Sequence, residues 1–423
     1  MTFLRAITMA LFAMVGLDSC AVAPPMPMAS DLTFVLPVAL APLPAVPTPV
    51  SISRGDAPIE STPSDTPISE RASGGGGTGG TAPTLAPTPA VVTIAGGTTR
   101  GLADGMGSEA RFHMPAGVAV DPLGNLVVAD RFNHCIRRIT PEGRVSTIAG
   151  TGQPGFLDGA GDVAQFDEPI GLAVDASGTV FVADSWNHRV RELRTDASGE
   201  VHVTTLVGSD EFGSRDGDQA TAQLDHPVGL SLAPSGDLYL SDTYAHTIRR
   251  IVRGASGGAT VSTVAGSPYA TGHMDGSGQD ARFLLPTAIA YASDGHLYVV
   301  EDDSCYLRRI APDGDVTTLV GVPTGSCGYR DGGPLEAAFD TAQGLAADGH
   351  GNLFIADTNN GRIRKLELNA PDAPLFSTWA GSGPGFADGS RAEAQFTAPF
   401  GIAIDASGQV FVTQNHAVRR ISP

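Results

Sequence analysis

Short apolar runs separated by turn-forming residues fill the chain from about residue 91 to its end. In one stretch four runs follow one another, at 172–174, 180–183, 190–193 and 201–207, with Gly, Asp, Asn or Pro between them. Runs of this length, rich in Val and Ile and bounded by turn formers, predict β-strands. Four such strands in succession are typical of one antiparallel blade of a β-propeller.

This four-run unit recurs six times, at intervals of roughly 54 to 60 residues. Each copy opens with an apolar-x-Thr-apolar-x-Gly segment, and an Asp-Gly pair follows. The pairs begin at Asp104, Asp158, Asp216, Asp275, Asp331 and Asp388. A repeat of this kind predicts a modular fold, either a solenoid or a closed ring.

The two ends of the repeat region favour the ring. A solenoid needs atypical capping units at both ends, whereas here the ends complement each other. Residues 91–95 carry the outer-strand motif, and the chain stops at 418–421, where that motif is missing. We therefore predict an all-β, six-bladed propeller with four antiparallel strands per blade, closed by the first strand of the domain.

The longest recurring segment resembles a known repeat. Residues 130–139 (DRFNHCIRRI) and 184–191 (DSWNHRVR) resemble the Asp…Asn-His-Arg-Ile-Arg core of NHL repeats, and the resemblance covers about 330 residues in six copies. It implies an NHL-type propeller. It implies little about function, because NHL propellers serve as protein-binding, RNA-binding and sensor modules and occasionally as enzymes.

The first 20 residues resemble an export signal. Arg5 precedes an apolar run from residue 6 to residue 17, which is too short to cross about 30 Å of hydrocarbon and fits a secretory signal peptide. Leu17, Ser19 and Cys20 resemble a bacterial lipoprotein cleavage box in which Cys20 receives the lipid, although Asp18 departs from the usual small residue. The alternative is a plain signal peptide with an incidental cysteine.

Residues 21–90 are dominated by Pro, Ala, Ser, Thr and a Gly cluster. Such a segment buries too little apolar surface to offset the entropy of ordering. We expect a disordered tether that holds the propeller, residues 91–423, away from a membrane. Ala21 after the cysteine would not favour retention at the inner membrane, so we expect an outer-membrane lipid anchor or, without lipidation, a periplasmic protein.

The formal net charge of −19 narrows the class of partner. Nucleic-acid binding requires a concentrated basic surface, so we expect no nucleic-acid partner. The same charge opposes direct adsorption to anionic lipid, so membrane contact would come through the lipid anchor only.

Six similar blades provide an internal control, because a residue that recurs in every blade serves the blade. The recurring arginines are Arg137, Arg191, Arg249, Arg308, Arg364 and Arg419. Their predicted partners are the acids Asp130, Asp184, Asp242, Glu301 and Asp357, one strand earlier. The Asn-His pairs, such as Asn187-His188, and the Asp-Gly corners are interpreted as structural in the same way.

Residues that break the repeat are the candidates for function, and they lie in loops that open on one side of the ring. Trp186, Tyr244, Tyr329 and Arg330 are aromatic or arginine side chains of the kind that anchor interfaces. We predict that they contact a protein or cell-envelope ligand. The alternative is that they only fill space between blades.

Two cysteines also break the pattern. Cys305 takes the place of the usual histidine, and Cys327 lies in the next long loop. In an exported protein this placement predicts a disulfide, with two reduced thiols as the alternative. Cys135 lies on a predicted strand and is expected to be a buried free thiol.

An enzymatic alternative stays open. Some propellers with this repeat are lyases acting on hydroxyglycine peptides, and other six-bladed propellers are metal-dependent lactonases. The metal candidates here are His113, His226, Asp167 and Asp225, because imidazole and carboxylate suit Zn²⁺, or Ca²⁺ if the oxygens dominate. The alternative is a set of solvated loop residues. No catalytic triad or phosphate loop is recognisable, so the preferred hypothesis is a binding scaffold without a cofactor.

Overall fold

The computed structural model describes residues 90–254, 257–302, 305–321, 327–370 and 374–423. The predicted signal peptide and all but the last residue of the predicted tether lie outside the described residues, so the expectations about Cys20, the tether and the domain boundaries stay predictions. Within the described part of the chain, no helix has the length and apolar character that a membrane crossing requires.

The described residues form six antiparallel sheets, each one blade. The chain enters through β1 (Val91–Gly96). Blade one contains β2 (Gly105–Met106), β3 (Pro115–Val120), β4 (Leu126–Asp130), β5 (Cys135–Ile139) and β6 (Arg144–Ala149). Blade two contains β7 (Gly159–Ala160), β8 (Pro169–Val174), β9 (Val180–Asp184), β10 (Arg189–Thr195) and β11 (Val201–Gly208). Blade three contains β12 (Gly217–Asp218), β13 (Pro227–Leu232), β14 (Leu238–Asp242), β15 (Thr247–Arg253) and β16 (Ala259–Ala265).

The second half of the ring repeats this arrangement. Blade four contains β17 (Gly276–Ser277), β18 (Pro286–Tyr291), β19 (Leu297–Glu301), β20 (Leu307–Ile310) and β21 (Asp315–Val320). Blade five contains β22 (Ala342–Ala347), β23 (Asn352–Asp357), β24 (Arg362–Glu367) and β25 (Leu375–Ala380). Blade six contains β26 (Pro399–Ile404), β27 (Val410–Gln414) and β28 (Ala417–Ile421). Single 3₁₀ turns lie at Gly107–Glu109, Arg131–Asn133, Ser185–Asn187 and Gly278–Asp280.

The predicted fold class is confirmed, with one addition. In blades one to four a two-residue strand pairs with the outer edge of the fourth strand, giving five strands instead of four. Isolated bridges, Gly332 to Phe376 and Val91 to Gly389, occupy the same place in blades five and six. The added strand covers the edge of each blade that would otherwise expose unpaired backbone groups.

The ring closes as the sequence predicts. β1 pairs with β28, from Val91 opposite Ile421 to Gly96 opposite Ala417, and forms the outer strand of blade six. The first strand of the domain thus joins the last three in one sheet.

Neighbouring blades touch through the backbone near the central axis. A Cβ added to Gly117 would lie 2.2 Å from the carbonyl oxygen of Ile170, and one added to Gly344 would lie 2.0 Å from that of Phe400. No side chain fits at such distances, so glycine at these positions lets the inner strands approach. Farther out, apolar side chains of adjacent blades form the core, as Val127 and Ala129 of blade one do with Leu172 and Val182 of blade two.

The predicted arginine–acid pairs are confirmed in five blades. Arg137 donates to Asp130 at 2.7 Å, and both side chains are completely buried. The corner residue Asp104 accepts from the same arginine at 2.7 Å and from the N–H of Thr147 on the outer strand at 3.1 Å. Burial acts to raise the pKa of Asp104, but these hydrogen bonds and the arginine charge hold it below its usual value. The corner aspartates therefore bind across the blade to its arginine and outer strand, and not only within their own turns.

The described cysteines form one disulfide and one buried free thiol. Cys305 and Cys327 are joined by a disulfide, with their Cα atoms 5.4 Å apart. Cys135 is buried and free, and burial raises the pKa of its thiol.

Candidate functional site

One face of the ring carries two kinds of loop at each blade junction. The loop after the second strand and the loop before the inner strand of the next blade open on the same side, because successive strands run antiparallel. We call this side the loop face. The short turns between first and second strands, such as residues 121–125, lie on the opposite face.

Among the described residues, a hydrogen bond from a backbone N–H to a histidine ring joins neighbouring blades at four of the six junctions. An imidazole Nδ1 after the second strand accepts the N–H of the residue that precedes the next inner strand. These bonds join Glu168 to His134 (3.2 Å), His226 to His188 (3.3 Å), Leu285 to His246 (3.1 Å) and Met114 to His416 (3.4 Å). We call His134, His188, His246 and His416 the junction histidines.

An accepting Nδ1 requires a neutral ring, and the environment favours one. Burial lowers the pKa of His134, His246 and His416, although Asp167 opposes this at His134. At His188 burial, with the neighbouring His226, lowers the pKa to about 4. The junction histidines are therefore neutral at pH 7 and join successive blades.

The junction between blades two and three also holds an aromatic cluster. The ring of His226 lies 4.9 Å from that of Trp186, 4.4 Å from that of His188 and 4.4 Å from that of Tyr244. Together with Asp225 these residues form what we call the 2–3 cluster. Trp186 is 39% exposed, so the cluster has one face open to solvent.

Asp225 differs from the other buried carboxylates. It is 6% exposed, and no arginine or lysine pairs with it among the described residues. Its Oδ1 lies 2.7 Å from Nδ1 of His226 and 4.0 Å from Nδ1 of His188, and the hydroxyl of Tyr269 also hydrogen-bonds to it. Nε2 of His226 is buried and has no hydrogen-bond partner within the described residues. The cluster thus combines a buried carboxyl group with an imidazole nitrogen that has no hydrogen-bond partner among the residues that the structure describes.

Polar contacts elsewhere on the loop face connect successive blades. Arg131 donates two hydrogen bonds to Glu168, at 2.9 and 2.6 Å, and Gln343 donates to Asp302 at 2.8 Å. These side chains bind one another across junctions and so contribute to the ring.

Comparison with known protein families supports the repeat assignment. The model described as NHL repeat matches residues 112–139 and 166–193, and the model described as Teneurin NHL domain matches residues 269–423. The chain contains NHL repeats. They form the six-bladed propeller described above.

Curated relatives share these repeats over part of their length. The protein SUPPRESSOR OF QUENCHING 1, chloroplastic, of Arabidopsis thaliana is 29% identical over 299 residues, which cover 66% of this chain and 27% of that protein. NHL repeat-containing protein 2 of Homo sapiens is 29% identical over 307 residues, covering 64% of this chain and 41% of that protein. The NHL propeller therefore spans less than half of either relative.

Solved structures agree on the fold. A protein of unknown function from Bacteroides thetaiotaomicron superposes with a TM-score of 0.60 at 22% identity, covering 78% of this chain and 75% of that one. An auxiliary nutrient binding protein from the same organism gives a TM-score of 0.57 at 17% identity, covering 78% and 76%. At these identities the likeness concerns the propeller fold alone.

The NHL propeller brings two of the four predicted ligand contacts together. Trp186 and Tyr244 both pack against His226 in the 2–3 cluster. Tyr329 lies in blade five, where its ring stacks on the guanidinium of Arg362 at 4.1 Å and its hydroxyl is 3.0 Å from that of Thr378. Tyr329 is nevertheless 49% exposed, so its role as a ligand contact stays a prediction.

Arg330 is exposed in the loop beside Tyr329. Its carbonyl oxygen accepts from the buried Arg364 at 3.0 Å, so the backbone at this position has a structural role. No contact of the described residues connects Arg330 with the 2–3 cluster.

The four predicted metal candidates do not form one group. Asp225 and His226 meet at junction 2–3, but His113 lies beside Phe132 and His416 at the junction of blades six and one. Asp167 faces His134 at 3.3 Å at junction 1–2. The expected set is corrected for this reason: its members belong to three different junctions.

Sequence reasoning missed the role of His188 in this cluster. It was assigned with the repeating Asn-His pairs, and its Nδ1 does make the repeated bond between blades. Its position opposite Asp225 and His226, 37 and 38 residues later in the chain, is what adds it to the 2–3 cluster. The signal available in the sequence was a histidine that recurs after the second strand, 34 to 39 residues before the N–H that it binds at the next inner strand.

Proposed function

We propose that this protein is an exported, lipid-anchored NHL propeller that binds a protein or cell-envelope ligand through its loop face. The observation that carries the proposal is the open side of the 2–3 cluster, where Trp186 and Tyr244 combine aromatic area with the buried Asp225. Phe212 and Tyr269, 55% and 51% exposed, extend this surface. Aromatic side chains in such a position are typical binding hot spots.

The repeated networks support the same choice of surface. Recurring arginines and corner aspartates find partners inside the ring, so they are not available to a ligand. Tyr329 and Arg330 lie in blade five and are not part of the 2–3 cluster, so the proposed surface does not include them. The second candidate function, a metal-dependent propeller enzyme, loses its expected ligand set because His113 and Asp167 lie at other junctions.

A substitution at the centre of the surface tests the proposal. Trp186→Ala removes the most exposed ring of the cluster, and Leu123→Ala is the matched control, since Leu123 is 82% exposed on the opposite face. The immobilised full chain is exposed to purified peptidoglycan and to solubilised envelope proteins, and bound material is quantified. We expect Trp186→Ala to lower retention about tenfold or more, as for a hot-spot residue, and Leu123→Ala to leave it unchanged. Equal retention by both variants would contradict the proposal.

The anchor is tested separately. In a Gram-negative host, the wild-type chain should take up labelled fatty acid and fractionate with outer membranes, while Cys20→Ser should do neither. Membrane association that survives Cys20→Ser would contradict lipid anchoring and would leave the ligand-binding proposal untouched.

A further inference from the structure

The six blade junctions place three residues in equivalent positions, which allows them to be compared directly. These are the residue at the junction-histidine position and the two residues that precede the next inner strand. At junction 2–3 they are His188, Asp225 and His226, and one potential ligand atom of each lies within 4.8 Å of the others.

The other junctions lack this combination. Junction 1–2 holds His134, Asp167 and Glu168, but Glu168 is bound by Arg131 at 2.6 Å. Junction 4–5 holds Cys305, whose sulfur is in a disulfide. Among the described residues, the remaining junctions supply at most two imidazoles and no carboxylate at these positions. The positions thus belong to the fold, while the His-Asp-His set belongs to one junction.

We infer that His188, Asp225 and His226 form a binding site for a divalent transition-metal cation, with Zn²⁺ the best match. Two imidazoles and one carboxylate are a ligand set that Zn²⁺ favours. They leave a fourth position for water or a ligand atom. The inference does not rest on the proposed function, because the site lies behind Trp186 and can be occupied whether or not a macromolecule binds.

The distances lie close to those of a tetrahedral site. Zn²⁺ bonds of 2.0–2.1 Å place neighbouring ligand atoms about 3.3 Å apart. Oδ1 of Asp225 lies 2.7 Å from Nδ1 of His226 and 4.0 Å from Nδ1 of His188. Side-chain shifts of less than 1 Å bring both distances to this spacing. The cation takes the place of the proton between Asp225 and His226, and at Nδ1 of His188 it replaces the hydrogen bond that this nitrogen accepts from the N–H of His226 at 3.3 Å.

The electrostatics of the site favour a cation. Asp225 is buried without an arginine or lysine partner within the described residues, unlike the five buried acids of the blade networks. A buried carboxylate beside two imidazole rings is stabilised by a bound cation.

Zinc alone is the probe for the test. The full chain, stripped with a chelator and dialysed, is titrated with Zn²⁺ in competition with a chromophoric chelator. The emission of Trp186 is followed in a Trp379→Phe background, because Trp186 lies 4.9 Å from His226 and is one of two tryptophans in the chain. We expect one site of micromolar or tighter affinity and a change in the emission of Trp186 on binding.

Matched variants decide between this site and other sources of zinc binding. His188→Gln, Asp225→Asn and His226→Gln should each weaken Zn²⁺ binding about 100-fold. His134→Gln removes an equivalent junction histidine beside Asp167, and His202→Gln alters an exposed group of His202, Asp196 and Glu200; both should bind Zn²⁺ as the wild type does.

Three results would overturn the inference. They are an affinity weaker than about 1 mM, a wild-type affinity in His226→Gln, or an equal loss in His134→Gln, which would assign the effect to a loosened ring. Thermal unfolding of each variant shows whether the ring is intact. Asp225→Asn, which keeps the size of the side chain, provides the decisive comparison if either histidine variant fails to fold.

Discussion

A reciprocal exchange between blades five and six tests what the buried arginine–acid pairs contribute to stability. In blade five Arg364 donates to Asp357 at 2.7 Å, and both side chains are completely buried. In blade six Gln414 occupies the place of the acid, and its Nε2 has no hydrogen-bond partner among the described residues. The two substitutions are Asp357→Asn and Gln414→Glu.

The expected cost of Asp357→Asn follows from the hydrogen bonds that the substitution removes and those that it leaves in place. Removing one partner of a buried ion pair costs about 3–5 kcal/mol. Here the asparagine can still accept the N–H of Asp340, and Arg364 keeps Asp331 at 2.6 Å and the carbonyl of Ala338 at 3.0 Å. One charge-assisted hydrogen bond, worth about 1.5–3 kcal/mol, is lost. We therefore expect unfolding to require about 2–3 kcal/mol less free energy.

Gln414→Glu should act in the opposite direction with a smaller magnitude. In the wild type, Arg419 pairs with one carboxylate, Asp388, at 2.6 Å. The new glutamate supplies the second carboxylate that each of the other five arginines has. It also removes the unpartnered amide nitrogen. The desolvation of a new carboxylate offsets most of this gain, so a net increase of about 1 kcal/mol is expected. Blade four shows that glutamate fits, because Glu301 pairs there with Arg308.

Guanidinium unfolding of the full chain measures both effects. Trp379, whose ring lies 4.8 Å from that of Phe354 in blade five, reports by fluorescence, and circular dichroism reports the whole ring. The slope of the free energy of unfolding against denaturant concentration should stay the same, so that only the midpoint of unfolding moves. If Asp357→Asn changed the free energy by less than about 0.5 kcal/mol, the range of ordinary surface substitutions, or if Gln414→Glu destabilised the ring, the reasoning would be refuted.

Three further predictions use other parts of the ring. Replacing Cys305 and Cys327 by serine opens a loop with a sequence separation of 22 and should cost about 3 kcal/mol in guanidinium unfolding; an unchanged midpoint would contradict a stabilising disulfide. Burial lowers the pKa of His246 below 6.5 in the folded protein. The neutral ring therefore stabilises the fold above pH 6.5. This stabilisation is lost by about 1.4 kcal/mol per pH unit as the pH falls from 6.5 towards the folded-state pKa. His246→Gln should therefore flatten the decline in melting temperature between pH 7 and 5, and an unaltered slope would argue against a buried neutral ring. Gly344→Ala, whose Cβ would lie 2.0 Å from the carbonyl of Phe400, should prevent folding or lower the melting temperature strongly, whereas Gly349→Ala, with nothing within 4 Å, should not; equal melting temperatures would contradict close backbone contact at the axis.

The repeat made most of the fold predictable. Six copies of one pattern indicate six equivalent units, and the missing motif at the end indicates how β1 closes the ring. The same comparison identified Arg137 and Asp130 as partners, because both recur at a fixed spacing. What recurs is visible in a single sequence, since each copy serves as a control for the others.

The candidate site was less predictable for a geometrical reason. Its residues come from consecutive blades: His188 follows a second strand, whereas Asp225 and His226 precede the next inner strand. His226 and His113 each lie just before an inner strand, so the sequence places them in the same group. In the structure they lie at different junctions. The packing of Tyr329 on Arg362 could not be predicted from the sequence either, because the cation–π contact joins a loop to a strand 33 residues later.

The ligand-binding proposal and the zinc-site inference depend on the same few residues, and substitutions can separate them. Trp186 contributes surface to the 2–3 cluster but is not among the candidate metal ligands, while Asp225 is a candidate ligand and is 94% buried. A macromolecular ligand held by aromatic contacts should be lost in Trp186→Ala and kept in Asp225→Asn. If zinc instead completes the binding surface, by offering its fourth position to a ligand atom, Asp225→Asn should lose both zinc and ligand while Trp186→Ala keeps zinc. Ligand binding that depends on Asp225 only when zinc is present would thus identify the cation as part of the recognition surface.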